Sequence, residues 1–194
     1  MSSRFGINQE IIITKALEIA DREGMEAVTM ANIARELTIK SPSLYNHFKG
    51  LNDIKQTMAN KAQKLLYLHL KEAIQNKQEG LDTIQGFGKA YLTFSNQFPG
   101  HYEASLTALD PSSQNVNFFG ESIIDLTKES LSLYRLNQNE IIHVIRGLRS
   151  LLHGIVDLER KGGFNIQLNL GDSLEMILET FVNGVGRQNQ ELES

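Results

Sequence analysis

Hydrophobic residues recur three and four positions apart along most of the chain, which is the spacing of amphipathic helices. This spacing predicts helices over residues 10–23, 29–37, 51–76, 81–98, 101–109, 118–134, 137–160 and from 172 towards the end, with a loop over 111–114. Strict alternation of hydrophobic and polar residues, which is typical of a strand, occurs only over residues 164–170. A lone strand there would have no partner for its edge, so we expect a connecting loop. The chain is therefore predicted to be all-α.

A short helix predicted near residues 40–49 presents polar side chains around two apolar anchors, Leu44 and Phe48. Ser41 followed by Pro42 is typical of a cap and a first helical position. The preceding helix has Thr29 as a suitable N-cap. A helix, a short turn and a second short helix form the outline of a helix-turn-helix, whose second helix enters the DNA major groove.

From about residue 8 to 61 the sequence resembles the DNA-binding domain of the TetR family of bacterial transcriptional regulators. The matching residues include Ala16, Leu17 and Ala20 of the first helix, Gly24 at its end, Val28 and Thr29, Ile33 and Ala34, and the run Leu44-Tyr45-Asn46-His47-Phe48-Lys49. Three positions depart from the family pattern. Thr38 replaces a turn glycine and should be strained at positive φ. Ala31 and Leu51 replace basic residues, so the affinity for DNA and its dependence on salt should be lower.

The resemblance implies a sequence-specific, DNA-binding transcriptional regulator, a repressor that a small-molecule effector releases from a palindromic operator. The regulator that the resemblance implies has an amino-terminal three-helix helix-turn-helix domain, expected over residues 1–50. Its carboxy-terminal helical effector-binding and dimerisation domain is expected over residues 51–194. Hydroxyl, imidazole and ammonium groups can bond phosphates and base edges, and proline can touch a thymine methyl. The predicted DNA-binding residues are Thr29, Ser41, Pro42, Ser43, Tyr45, His47 and Lys49.

Charge and composition narrow the choice of partners. Residues 1–64 hold nine Lys or Arg against seven Asp or Glu, a balance of +2, whereas the remainder holds ten against sixteen, a balance of −6. Only the first part suits a phosphate backbone. The absence of cysteine excludes disulfides and thiol catalysis, and the five histidines are too scattered for a zinc site, so no metal or cofactor is predicted. Without a signal-like start or an apolar run of about 20 residues, we expect a cytoplasmic protein with no membrane partner.

Two groups of residues are candidates for an effector pocket. Four aromatic residues share one face of the helix before Pro99, and they either pack in the core or line a cavity. A polar stripe from His143 to Asp157 runs along an otherwise apolar helix, and it could serve a pocket, a dimer interface or the core. The pocket candidates are Phe87, Tyr91, Phe94, Phe98, Arg146, Ser150 and His153. Leu152-His153-Gly154 is also similar to the signature of the family's Trp-His-Gly class, with leucine in place of tryptophan.

The last two predicted helices are apolar around much of their circumference, which favours burial against a second copy in a four-helix, two-fold interface. The resemblance implies the same homodimer. The candidate interface residues are Ile145, Leu152, Val156, Leu174, Ile177, Leu178, Phe181 and Val185.

Two other classes of protein remain open from the residues alone. A helical enzyme or small-molecule-binding protein could use His101, His143 and His153, although no nucleophile or phosphate loop supports catalysis, so no enzyme is predicted. A protein adaptor would lack DNA-binding function, and its activity would survive the change Tyr45→Ala.

Overall fold

The computed structural model describes residues 6–111 and 119–192, and the side chains of those residues through 186. Over these ranges the regular structure is entirely helical, which confirms the all-α prediction. The α-helices are α1 (Gln9–Glu23), α2 (Met30–Glu36), α3 (Leu51–Ile74), α4 (Leu81–Gln97), α5 (Pro99–Ser105), α6 (Phe119–Ser130), α7 (Gln138–Arg160) and α8 (Leu170–Leu192). Short 3₁₀ helices span Met25–Ala27, Ser41–Asn46 and Ser132–Tyr134. Apart from Pro111, the loop predicted over 111–114 lies outside the described residues, as does the predicted helix start at 118.

Side-chain caps fix several helix starts. The Thr29 hydroxyl accepts a hydrogen bond from the backbone N–H of Asn32 at 3.1 Å, which confirms Thr29 as the N-cap of α2. Asn137 and Glu140 form a capping box at the start of α7, in agreement with the helix predicted to begin at residue 137. Each cap satisfies backbone donors that the first turn of a helix leaves without intrahelical partners.

Three predicted boundaries are wrong. The last helix begins at Leu170, where Asn169 Oδ1 accepts from Gly171 N at 2.7 Å, so Asp172 lies inside the first turn. Pro99 opens α5 instead of only ending α4, because its fixed φ suits a first helical position. The helix predicted over 118–134 breaks after Ser130 into a 3₁₀ turn, which ends at Arg135 with φ 48°.

The chain packs into two compact units, each made of two sequence segments. We name Met1–Leu66 with Asn96–Phe119 the head unit, and Tyr67–Ser95 with Gly120–Ser194 the body unit. This division differs from a cut after residue 50, because the first part of α3 and the whole of α5 pack in the head unit. The chain passes from one unit to the other at Leu66–Tyr67, Ser95–Asn96 and Phe119–Gly120.

The core of the head unit gathers apolar side chains from α1, α2, the 3₁₀ helix 41–46, α3 and α5. Ala104 of α5 is fully buried in this core. The core residues are Ile12, Ile13, Ala16, Leu17, Ile19, Ala20, Val28, Ile33, Ala34, Leu44, Phe48, Ile54, Met58, Ala62 and Ala104. A segment that is distant in sequence therefore completes the small helical head.

The body unit packs α4 closely against α7 and α8. A Cβ added at Gly88 would lie 2.5 Å from Leu178 Cδ1 and 3.4 Å from Leu152 Cδ2, so only glycine lets the helices approach this far. Among the described residues, no helix is long and apolar enough to cross a membrane.

Candidate nucleic-acid interface

The turn after α2 is a Schellman motif with threonine at the position that usually holds glycine. Ile39 N donates to Ala34 O at 2.9 Å, and Thr38 N donates to Arg35 O at 3.0 Å. Thr38 has φ 56°, in the left-handed region that is costly for a β-branched residue. The strain expected from the sequence is therefore present, and it lies directly before the candidate recognition residues.

The segment that follows, Ser41–Asn46, is a 3₁₀ helix and not an α-helix. Its N-cap is Lys40, and no side chain bonds its first N–H groups, so the prediction of Ser41 as the cap is wrong. In a 3₁₀ helix the side chains at i and i+3 eclipse each other. Ser41, Leu44 and His47 therefore form the inner row, with Leu44 fully buried and the other two half-buried.

Two outer rows of this 3₁₀ helix are available to a partner. Pro42 and Tyr45 form one row, and the Tyr45 side chain is 58% exposed. Ser43 and Asn46 form the other row, with Ser43 half-buried and Asn46 exposed, and the exposed Lys49 follows after the end of the helix. Asn46 was not among the predicted DNA-binding residues, because α-helical spacing was assumed; a three-residue period would have identified it.

Two hydrogen bonds hold the end of the 3₁₀ helix on the head unit. Gln9 Nε2 of α1 donates to His47 O at 2.7 Å, and Lys49 N donates to Asp53 Oδ2 of α3 at 2.9 Å. Phe48 between these bonds is buried in the core. The outer rows are thus presented by a segment that is fixed at its base, whereas Thr29 already uses its hydroxyl as the cap of α2.

Lysines lie at both ends of the outer surface, since Lys40 precedes the 3₁₀ helix and Lys49 follows it, and both are exposed. Lys61 of α3 instead donates to Glu10 Oε1 at 2.7 Å and to Thr14 Oγ1 at 2.9 Å. The hydrogen bond and charge of Lys61 hold the pKa of Glu10 below its usual value. Lys40 and Lys49 are therefore exposed cations that flank the outer rows.

The predicted pocket residues do not lie in one place. Phe87, Tyr91 and Phe94 are buried in the body unit, where the His69 ring lies 5.7 Å from that of Phe94. Phe98 belongs to the head unit and contacts the His101 ring edge-on at 5.6 Å between centroids. His69 of α3 was not among the predicted pocket residues, because no motif surrounds it in the sequence.

The polar candidates on α7 point outward. Arg146, Ser150 and His153 are exposed on the single chain, as is His143, and Asp157 is half-exposed. None of these side chains is buried with Phe87, Tyr91 and Phe94, so the structure does not bring the two groups of pocket candidates together.

Most of the candidate dimer residues are already buried within the single chain. Ile145, Ile177 and Phe181 keep partial exposure. The other five are buried: Leu152, Val156, Leu174, Leu178 and Val185. Three of these five, Leu152, Leu174 and Leu178, lie around the Gly88 contact with α4. These five side chains are buried within the single chain, and their place in a dimer interface stays a prediction.

Comparisons with known proteins agree with this architecture. Residues 12–54 match the family model described as "Bacterial regulatory proteins, tetR family", and residues 84–181 match "Tetracyclin repressor-like, C-terminal domain". The uncharacterized HTH-type transcriptional regulator YobS of Bacillus subtilis is 32% identical over 99% of this chain and 100% of its own length. The uncharacterized HTH-type transcriptional regulator Rv0681 of Mycobacterium tuberculosis is 27% identical over 80% of this chain and 72% of its own length.

Solved structures show the same fold at low sequence identity. A single-residue variant of TetR from Acinetobacter baumannii, in complex with minocycline, superposes with a TM-score of 0.69 at 16% identity and covers 95% of this chain and 99% of its own. Apo ActR from Streptomyces coelicolor gives a TM-score of 0.70 at 14% identity, with 96% and 98% covered.

The fold, the helix-turn-helix and these relatives define a DNA-binding transcriptional regulator, and they do not favour an adaptor or a binding protein without DNA-binding function. The chain belongs to the TetR family. The likeness of Leu152-His153-Gly154 to the Trp-His-Gly class stays a prediction.

Proposed function

We propose that this regulator is a repressor that binds a palindromic operator as a homodimer and is released by a small-molecule effector. The observation that carries the proposal is the fixed 3₁₀ helix, which presents Tyr45 and Asn46 to solvent, with the exposed Lys49 just beyond it, on a buried base of Leu44 and Phe48. Such a surface suits a groove lined by hydrogen-bonding base edges and phosphates. Regulation of transcription would place the protein in the bacterial cytoplasm.

The proposed roles of the DNA-binding residues follow their exposure. Tyr45 and Asn46 would bond base edges or phosphates, Pro42 would touch a thymine methyl, and Lys49 would contact a phosphate. Ser41, Ser43 and His47 are half-buried and would contribute from the sides of the helix. Thr29 would act mainly by capping α2, which sets the angle at which the turn presents the following residues.

The effector would bind the body unit, and its recognition would be largely apolar. Phe87, Tyr91 and Phe94 supply aromatic surface there. Four buried Ser and Thr hydroxyls of this unit already donate to backbone carbonyls at 2.7–2.8 Å, so they are not available as donors to a ligand; they belong to Thr83, Ser95, Thr127 and Ser130. The minocycline complex of the Acinetobacter relative supports a small molecule as the ligand class. The effector would release DNA only if it prefers a dimer geometry that fits the operator poorly.

The homodimer would use the outward faces of α7 and α8. Ile142 and Met176 expose 44% and 71% of their surface on these helices. A Cβ added at Gly184 of α8 would meet nothing within 4 Å, so this face leaves room for a close neighbour. Ile177 and Phe181, which keep partial exposure, would contribute at the edge of the interface.

Selection of random DNA duplexes by the full chain at moderate salt tests the proposal. We expect a palindromic sequence to be enriched, and we expect the double variant Tyr45→Ala, His47→Ala to lose it. The double variant Tyr67→Ala, His69→Ala offers a matched control, because it makes the same changes in the body unit. Failure of the wild-type chain to enrich any duplex would contradict the proposed function.

A screen of small molecules for release of the selected operator tests the second half of the proposal. A genuine effector should bind more weakly when the operator is present. The factor by which operator lowers the affinity for effector should equal the factor by which effector lowers the affinity for operator. Equal affinity in both states would remove the proposed release mechanism while leaving DNA binding intact.

A further inference from the structure

The helices α7 and α8 form an antiparallel pair in the body unit. A Cβ added at Gly147 of α7 would lie 3.1 Å from Phe181 Cε2 of α8. Leu152, later in α7, and Leu178, earlier in α8, both have atoms within 3.4 Å of the corresponding position at Gly88 of α4. A residue further along α7 therefore stands level with a residue further back along α8, and both helices turn one side towards α4.

Two opposite charges stand level with each other on this pair. Arg149 comes two residues after Gly147, and Glu179 comes two residues before Phe181. In an antiparallel pair these two steps lead in the same direction. A helix advances about 1.5 Å per residue, so both charges lie about 3 Å along the axis from the contact between Gly147 and Phe181.

The two charges lie on opposite outer edges of the pair. Arg149 directly follows the buried Leu148, and Glu179 directly follows the buried Leu178, so each is turned about 100° from a core side chain. Gly147, which faces α8, precedes Leu148 and is turned the other way, so Arg149 points away from α8. The antiparallel direction places Glu179 on the far edge of α8 in the same manner.

Neither charge has a partner among the residues that the structure describes. The side chains of Arg149 and Glu179 are both exposed, and neither forms an ion pair or a hydrogen bond within this part of the chain. The neighbouring acid Glu175 differs, because it pairs with Lys89 of α4. The outward face of α7 and α8 thus carries one cation and one anion that the single chain leaves uncompensated over its described residues.

The direction of the two-fold axis decides which helix α7 meets in a homodimer. An axis perpendicular to the helices sets α7 against α7 of the partner, so the exposed cations Arg146 and Arg149 approach their own copies, and like charges there are costly. An axis along the helices keeps every residue at its height and sets α7 against α8 of the partner. Arg149 then stands at the height and on the edge of Glu179 of the partner subunit.

We propose that the two-fold axis of the homodimer runs along α7 and α8, so that Arg149 of each chain pairs with Glu179 of the partner subunit at the two edges of the interface. This inference rests on the proposed homodimer. The occupant of the outward face is a second copy with the same order of charges. A related chain with another order meets like charges, so the two ion pairs make the interface selective for its own chain.

The test measures which chains pair with each other. The wild-type chain is coexpressed with the charge-swapped double variant Arg149→Glu, Glu179→Arg, one of them carries a tag, and native mass spectrometry measures the fraction of mixed dimers. Both homodimers join opposite charges, whereas the mixed dimer joins two cations at one edge and two anions at the other. We expect mixed dimers to fall from the statistical half to about a tenth or less, and to return towards half at about 1 M salt.

Two further mixtures serve as controls. The double variant Lys71→Glu, Glu72→Lys also swaps two exposed charges, but on α3, and its mixed dimers with the wild-type chain should stay at half. The single variants Arg149→Glu and Glu179→Arg should pair with each other in more than half of the dimers, because only the mixed dimer restores opposite charges at both edges. A pairing inside one chain would not produce that preference.

The results separate the inference from the proposed function. Mixed dimers of the wild-type and charge-swapped chains above half would show that α7 meets α7, and a fraction of half at both salt concentrations would show that the two charges do not meet across the interface. Either result overturns the inference and leaves the homodimer standing. A wild-type chain that is monomeric contradicts the proposed homodimer itself. A dimer that enriches no palindrome contradicts operator binding and leaves the charge pairing intact.

Discussion

Asp21 and His101 lie 80 positions apart in sequence, yet Oδ2 of the first is 2.7 Å from Nδ1 of the second. Burial of the Asp21 carboxyl raises its pKa. The hydrogen bonds from the side chain and backbone of His101 and from Gly100 lower the pKa, and together they outweigh the effect of burial. The pKa of Asp21 therefore lies below its ordinary value. Since the ionised form is favoured in the folded state, this pair contributes to the stability of the head unit.

Replacing Asp21 by alanine should lower the free energy of unfolding at pH 7 by about 1–3 kcal/mol, because two buried N–H groups lose their acceptor. The contribution of the carboxylate charge is present above the pKa of the unfolded state, about 3.9, and is lost as the pH falls through the lower folded value. Denaturant unfolding at pH 7 and pH 3 measures both quantities. The difference between wild type and variant should shrink at pH 3, and an equal difference at both values would contradict this account.

Replacing Thr38 by glycine should stabilise the head unit by about 1 kcal/mol, because glycine adopts φ 56° without the clash that a β-branched side chain suffers. Thermal unfolding of the two proteins measures the change. Thr93→Gly serves as the control, since Thr93 is exposed within α4 and glycine there should cost about 0.5 kcal/mol. A destabilised Thr38→Gly variant would show that the turn is not strained.

Replacing Gly88 by alanine should destabilise the body unit by about 1–3 kcal/mol, because the new Cβ would lie 2.5 Å from Leu178 Cδ1 in a packed core. At Gly154 of α7 nothing lies within 4 Å of the corresponding position. Gly154→Ala should therefore gain about 0.5–1 kcal/mol from helix propensity. Urea unfolding measures the change in the free energy of unfolding for each variant. A decrease for Gly88→Ala with an increase for Gly154→Ala would support the close packing of α4, and changes of the same sign would count against it.

Asn46→Ala and Lys49→Ala should weaken operator binding in different ways. Asn46 offers an amide that can read a base edge, so its loss should cost about 1–3 kcal/mol and relax selectivity at one base pair. Lys49 supplies a point charge, so its loss should weaken all duplexes alike and reduce the slope of log affinity against log salt by about 1. Binding titrations at several salt concentrations, on the operator and on single-base variants, distinguish the two. Identical profiles for both variants would refute this assignment.

The sequence predicted the parts of the fold that local chemistry decides. Thr29 caps α2 as expected, and α7 begins at the predicted position with the Asn137–Glu140 capping box, because a cap depends only on neighbouring residues. Thr38 has the positive φ that the turn demands. The start of α8 was misjudged because Asn169 and Asp172 are both good caps, and it is Asn169 that accepts the hydrogen bond from Gly171 N.

The parts of the fold that depend on contacts between residues distant in sequence could not be predicted from the sequence. Nothing local to Gly100 indicates that it rests on α1, and nothing local to Leu178 separates burial against α4 from burial against a second copy. Asn46 was missed for a different reason, since a six-residue helix is too short for its sequence to distinguish a 3.0-residue from a 3.6-residue period.

The burial of Ala104 in the core of the head unit has a consequence for exchanging parts between related regulators. A hybrid made by joining the first 50 residues of one relative to the remainder of another would place a foreign α5 against α1. Gly100 and Ala104 leave no room for larger side chains, so in the hybrid the side chains of α5 would not fit those of the core of the head unit. Modular exchange in this chain therefore requires two inserts from the same parent, Met1–Leu66 and Asn96–Phe119, because the head is not contiguous in sequence.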